Sequence, residues 1–93
     1  MNDVSQKLGA PQPLRPRLLA LIGQILDKGD GASLPVDARL SELGMSSIKM
    51  VNLMLAVEGE FDLTIPQSEI TPDTFRSVSS IEAMLGRLLA LKP

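Results

Sequence analysis

The sequence predicts an all-α fold: a helical bundle with three main helices, a long loop between helices one and two, and a short third helix before the last. Three observations carry this. Leu18, Leu21, Ile22 and Ile25 recur at spacings of three and four within residues 15–27. Residues 47–61 hold a nearly continuous apolar series, and Val78, Ile81, Leu85 and Leu88 follow a serine cap at helical spacing. No alternating stretch is long enough to support a strand.

Helix one, residues 15–27, tolerates Pro16 in its first turn, where no helical N–H bond is lost, and has Gly29 beyond its end. Residues 28–45 carry Gly29, Gly31 and Pro35 and are too long for a simple turn, so Leu34, Val36, Leu40 and Leu43 are expected to tack this loop onto the core. Helix two spans 47–61. Its Ile48, Met50, Val51, Leu53, Met54, Leu55 and Val57 surround most of the circumference, leaving Lys49, Asn52, Ala56 and Glu60 as a narrower stripe, so the helix is expected to be largely buried. LTIP reads as an extended link, since Pro66 keeps Ile65 out of helical angles. Thr71 before Pro72 gives a cap and a helix start, hence a short helical turn at 72–75. The last helix runs from a Ser77 cap to about residue 89, with Ser79 and Glu82 as an alternative capping box.

Ninety-three residues suffice for one domain with one modest core. The expected organisation is a loose leader at 1–14, a folded domain at 15–91 and a tail at 92–93, with neither repeats nor low-complexity tracts. No apolar run approaches the roughly 20 residues of a membrane-spanning helix. The first residues also lack the basic and apolar regions of a secretory signal, and there is no cysteine for disulfides, so a cytoplasmic protein is expected.

Absent residue types shorten the catalytic menu. Without histidine or cysteine there is no Ser-His-Asp triad, no thiol nucleophile and almost no zinc chemistry. Ser46 to Lys49 spells S-x-x-K, but enzymes using that motif need further motifs and a larger fold. A formal charge of -2 with Phe61 and Phe75 as the only aromatics speaks against nucleic acid, which calls for basic patches and stacking surfaces.

The stretch LGMSSIKMVNLMLAVEGEFDLTIP, from Leu43 to Pro66, is the most specific part of the chain. Gly44 allows a sharp turn into a helix whose start presents Ser46 and Ser47. This order resembles the phosphopantetheine-attachment region of acyl carrier proteins: leucine, glycine, a variable residue usually followed by aspartate, the modified serine, then an aliphatic residue opening a helix. Ser47 stands at the modified position and Ser46 where aspartate is usual. The resemblance covers residues 15–91. It implies a carrier, not an enzyme, on which a separate phosphopantetheinyl transferase uses coenzyme A to attach 4'-phosphopantetheine to Ser47. Acyl groups would be held as thioesters and presented to acyl-activating or acyl-transferring enzymes by a monomer that does not insert in membranes. Serines at helix starts commonly only cap; here the surrounding framework favours attachment. The alternatives are an aminoacyl or peptidyl carrier, and an unmodified carrier-like interaction module.

Met45, Ser46, Ile48, Lys49 and Asn52 are the expected partner contacts, with Met45 exposed beside the arm. Met50 and Met54 suit either core packing or an adaptable surface admitting part of an acyl chain. In fatty-acid carriers the exposed face of helix two is usually acidic. Lys49 and Asn52 replace acids here, with only Glu58 and Glu60 near the far end, which points to a specialised lipid or secondary pathway rather than housekeeping fatty acid biosynthesis. Enzymes built for acidic carriers should therefore handle this protein poorly. Lys49→Glu with Asn52→Glu should improve their turnover, most clearly at low salt; equal rates for parent and double variant there would remove the electrostatic argument.

Overall fold

The computed structural model describes residues 14–91, and the expected leader and tail otherwise lie outside that range. Three α-helices form the frame: α1 (Leu14–Leu26), α2 (Ser47–Phe61) and α3 (Val78–Ala90). Short 3-10 turns occupy Leu40–Leu43 and Gln67–Glu69. Among the described residues there is no strand. Leu14, expected in the leader, already belongs to α1.

Helix α1 packs against both α2 and α3. It contributes Leu18, Ile22 and Leu26 to the core; α2 adds Leu53, Val57 and Phe61, and α3 adds Val78, Ile81, Met84 and Leu85. The α1 and α2 sets recur every four residues and the α3 set at spacings of three and four, so each helix offers one stripe inward. Burial of this apolar surface is the main term favouring the fold.

Ion pairs tie the surface. Arg15 reaches Glu82 at 2.6 Å, Arg17 reaches Glu60 at 3.0 Å, and Arg87 reaches Glu69 at 2.8 Å. Arg17 also lies over the Phe61 ring at 4.4 Å, so one side chain joins α1 to the end of α2 twice. Exposed pairs of this kind contribute little stability individually.

Both α1 and α2 stop at aspartates in the left-handed region, Asp27 with φ 62 and Asp62 with φ 52, and Gly29 follows the end of α1 as expected. At α1, Asp27 N–H donates to Gln24 carbonyl at 3.2 Å and Lys28 N–H to Gly23 carbonyl at 2.6 Å, which closes the last turn. Short polar residues tolerate these angles better than other non-glycine types.

The loop from Asp27 to Ser46 is anchored at its start and near its end. Gly31, with φ +74, sits so close to α1 that a Cβ would overlap the Leu19 carbonyl oxygen, and a Cβ on Gly23 would fall 2.5 Å from Gly31 nitrogen. Further on, Leu34 and Leu40 are buried while Val36 and Leu43 are half-buried, as expected of a loop tacked to the core. Leu40 N–H donates to Arg76 carbonyl at 2.8 Å, and Ser79 N–H to Val36 carbonyl at 2.9 Å. The Ser79 hydroxyl donates to Asp37, so it does not form the alternative cap. Ser77 is the cap of α3, with its oxygen accepting from Ser80 N–H at 3.2 Å and the Ser80 oxygen accepting from Ser77 N–H at 3.0 Å.

Residues 72–75 form one turn rather than a helix. Thr71 caps it as expected, accepting from Thr74 N–H at 3.1 Å, and Phe75 N–H donates to Thr71 carbonyl at 3.3 Å. The chain then straightens at Ser77, φ -145, to begin α3, which leaves no length for a second turn.

The two loop glycines separate two physical effects. Gly29 has φ +65 but open space, so Gly29→Ala should cost about 1–2 kcal/mol through backbone strain alone. Gly31→Ala adds a clash with α1 and should cost about 1–3 kcal/mol more. Denaturant melts of both variants check the order; equal losses would show that α1 and the loop part freely.

Candidate functional site

Gly44 closes the Leu40–Leu43 turn at φ 101, and nothing lies within 4 Å of where its Cβ would be. Its role is conformational: only glycine adopts this angle cheaply. Met45 N–H then donates to Leu40 carbonyl at 3.0 Å, fixing the step into α2.

Met45 is buried, at 7% exposure, and belongs to the core. The expectation that Met45 is exposed beside the arm therefore fails. The bond to Leu40 carbonyl holds Met45 in the turn that brings the loop back to the core.

The adjacent serines have different tasks. Ser46 is extended, with φ -88 and ψ 172, and its hydroxyl oxygen accepts from Lys49 N–H at 3.2 Å. It is the cap. Ser47 is the first helical residue; it is exposed, and its hydroxyl has no hydrogen-bond partner among the described residues. The capping duty that often explains a serine here is thus already discharged by its neighbour. First-turn amides lack helical acceptors, and the positive end of the helix dipole favours an anion at this place. An exposed hydroxyl at such a helix start fits a phosphodiester.

Ile48 and Asn52 are exposed and Lys49 is half-buried. The expectation that α2 is largely buried fails. Ile48 is 75%, Val51 53% and Leu55 62% exposed, although all are aliphatic. The packing explains this: α2 turns the arc of Leu53, Val57 and Phe61 inward while α3 rests on α1, so among the described residues no element covers the opposite arc. Val51 and Leu55 were missed as candidate contacts. Their spacing from Ile48, three and seven residues, was the available signal.

Half-buried Met50 and Met54 line an open cleft of about 320 Å³ with Ile70, Thr71, Pro72 and Phe75. A neighbouring hollow of about 350 Å³ reaches from Met45 and Met50 to Arg39, Asp73 and Arg76. Among the described residues no cluster of acids could hold a metal ion, and no helix is long and apolar enough to cross a membrane.

Comparison with known proteins agrees with this geometry. The family model described as "Phosphopantetheine attachment site" matches residues 16–85. Aminoacyl carrier protein 1 of Bradyrhizobium diazoefficiens is 48% identical over 73 residues, which is 77% of this chain and 81% of that protein. The aminoacyl carrier protein of Agrobacterium fabrum is 37% identical over 75 residues, covering 75% of this chain and 90% of the relative. A chain in the crystal structure of Bradyrhizobium japonicum glycine:carrier protein ligase complexed with its cognate carrier protein and an analogue of glycyl adenylate superposes with TM-score 0.70. It is 43% identical, with 81% of this chain and 99% of that chain covered. A second such structure, with glycylated carrier protein, gives TM-score 0.64 at 48% identity. With its fold, its helix-start serine and these matches together, the chain belongs to the family of carrier proteins that bear a phosphopantetheine attachment site.

Proposed function

We propose that this protein carries aminoacyl groups as thioesters on a 4'-phosphopantetheine arm joined to the Ser47 hydroxyl. The observation that carries the site is the division between Ser46, whose oxygen is committed to Lys49 N–H, and Ser47, whose exposed hydroxyl has no partner among the described residues. The aminoacyl cargo rests on relatives named as aminoacyl carrier proteins and on similar chains solved in complex with glycine:carrier protein ligase. This reverses the order expected from the sequence, in which acyl cargo of a specialised lipid or secondary pathway came first. Acyl carriage remains the second reading, favoured by the apolar cleft beside Met50 and Met54.

The Ser47 oxygen would bond to the pantetheine-bearing phosphorus of coenzyme A while 3',5'-ADP leaves, on a separate transferase. The arm supplies the thiol that a chain without cysteine lacks. The protein's part is to hold the phosphodiester at the α2 start, where the dipole favours negative charge, and to keep it accessible. Partners are then the transferase and an aminoacyl-activating ligase. A reducing cytoplasm suits a free thiol, and we place the protein there.

Intact mass after incubation with coenzyme A and a broad-specificity phosphopantetheinyl transferase should rise by one phosphopantetheine. Ser47→Ala should not change mass. No gain by the parent with several transferases would favour the unmodified interaction module, and a gain by Ser47→Ala would move the site. Subsequent incubation with glycine, ATP and a glycine:carrier protein ligase should add one glycyl group to the modified parent; acylation only by acyl-activating enzymes would return the second reading to first place.

Ser46 allows a separate test. Aspartate caps about as well as serine and adds a charge favourable to the dipole, so Ser46→Asp should stabilise the unmodified protein by about 0.3–1 kcal/mol at low salt. A phosphodiester next door would oppose the new carboxylate and reduce that gain. Melts of parent and variant, each with and without the arm, measure it; equal gains in both forms would place the phosphate away from residue 46.

A further inference from the structure

The arginines of this chain fall into two groups. Arg15, Arg17 and Arg87 each close on a glutamate, whereas Arg39 and Arg76 form neither an ion pair nor a side-chain hydrogen bond among the described residues. Both of these are exposed, and both line the hollow of about 350 Å³ that also takes in Ser41, Met45, Met50 and Asp73.

The backbone brings the two together. Leu40, next to Arg39, donates its N–H to the Arg76 carbonyl at 2.8 Å, and its own carbonyl accepts from Met45 N–H at 3.0 Å. One residue thus ties both arginines to the turn that leads into α2. Met45 precedes Ser47 by two residues and Met50 follows it by three, close to one helical turn, so the walls of the hollow bracket the helix start. Asp73 opposes the arginines but pairs with neither. Two cations against one anion leave the hollow a net positive place on a chain of formal charge -2.

We propose that Arg39 and Arg76 hold the phosphate-ester anion at the root of an arm attached to Ser47, and so set the direction in which the arm leaves the protein. The inference rests on attachment at Ser47 as proposed above. A phosphodiester carries one negative charge on its unesterified oxygens, which the planar guanidinium fork matches. The α2 start favours that charge from one side, and the arginines close on it from the other. Tethering selects the arm over a free phosphate, because an anion on a short flexible link is present at an effective millimolar concentration. Contacts between exposed charges are individually weak, so a partner enzyme can draw the arm away without a large cost.

The test follows the arginine side-chain Nε–H resonances by NMR before and after the arm is attached, at about 20 mM salt. Attachment should move those of Arg39 and Arg76 and leave those of Arg15 and Arg87, already paired with Glu82 and Glu69, in place. It should also raise Tm by roughly 2–4 °C. Arg39→Gln with Arg76→Gln should abolish that rise yet leave the Tm of the unmodified protein unchanged, since neither side chain is bonded there. Lysine at both positions should restore about half of it, returning charge without the fork. Asp73→Asn should enlarge it, and about 500 mM salt should suppress it. Unmoved Arg39 and Arg76 resonances, in protein whose mass and Ser47→Ala control place the arm at Ser47, overturn the clamp and leave the carrier reading standing. A parent that gains no arm, or a Ser47→Ala variant that gains one, overturns both. Resonances that move with about 1 mM inorganic phosphate but not with the arm assign the hollow to free phosphate instead. A rise in Tm that Lys49→Gln removes and the arginine variants keep overturns the clamp in favour of Lys49.

Discussion

The site depends on the fixing of a long loop that has little regular structure of its own. Between Asp27 and Ser46 the chain contains one 3-10 turn, yet it must deliver Gly44 and Ser46 to a defined place. Backbone contact at Gly31 presses the loop against α1, and the Leu40–Arg76 bond stitches it to the segment leading into α3. Fully buried Leu40 makes that stitch an interior one. Because water competes poorly for an interior bond, both ends of the loop are held with little need for helix between them. The start of α2 inherits its position from these anchors.

Much of this was legible in the residues. The α2 limits, the Ser77 cap and the tacking leucines follow from periodicity, cap chemistry and burial, all of which are local. The aspartate stops at Asp27 and Asp62 were not legible, since the same residue type caps, turns or simply solvates. Met45 and the outer arc of α2 failed for another reason. Hydrophobic period tells that residues share a face but not whether anything covers that face. Coverage of α2 is set by α3 choosing α1 as its neighbour, which no property of residues 47–61 records. The division between Ser46 and Ser47 was only half readable: two hydroxyls at a helix start leave open which one takes the first-turn amide, and backbone angles at Ser46 decide it.

Architecture and cargo are separate layers of the inference. The helical frame, the glycine turn and the serine at the helix start define a carrier, and they would serve an acyl or an aminoacyl group equally. What differs between such carriers lies in the surface that partners meet, because the arm and its thioester chemistry are common to both. This is why the exposed aliphatic row matters more for assigning partners than the buried core does.

The aliphatic outer face of α2 also bears on the tempo of encounter. The whole chain is acidic, with a sequence pI near 4.9, but Glu58 and Glu60 are drawn to Ile65 and Arg17. Both lie at the opposite end of α2 from Ser47, whose neighbours Ser46, Ile48 and Lys49 include no acid. Without a field to orient approaching enzymes, productive collisions would proceed near the unsteered 10⁵–10⁶ M⁻¹s⁻¹ regime, about two to three decades below steered association. Under the proposed function, such a carrier would gain throughput from abundance rather than from attraction, and its traffic would change little with ionic strength.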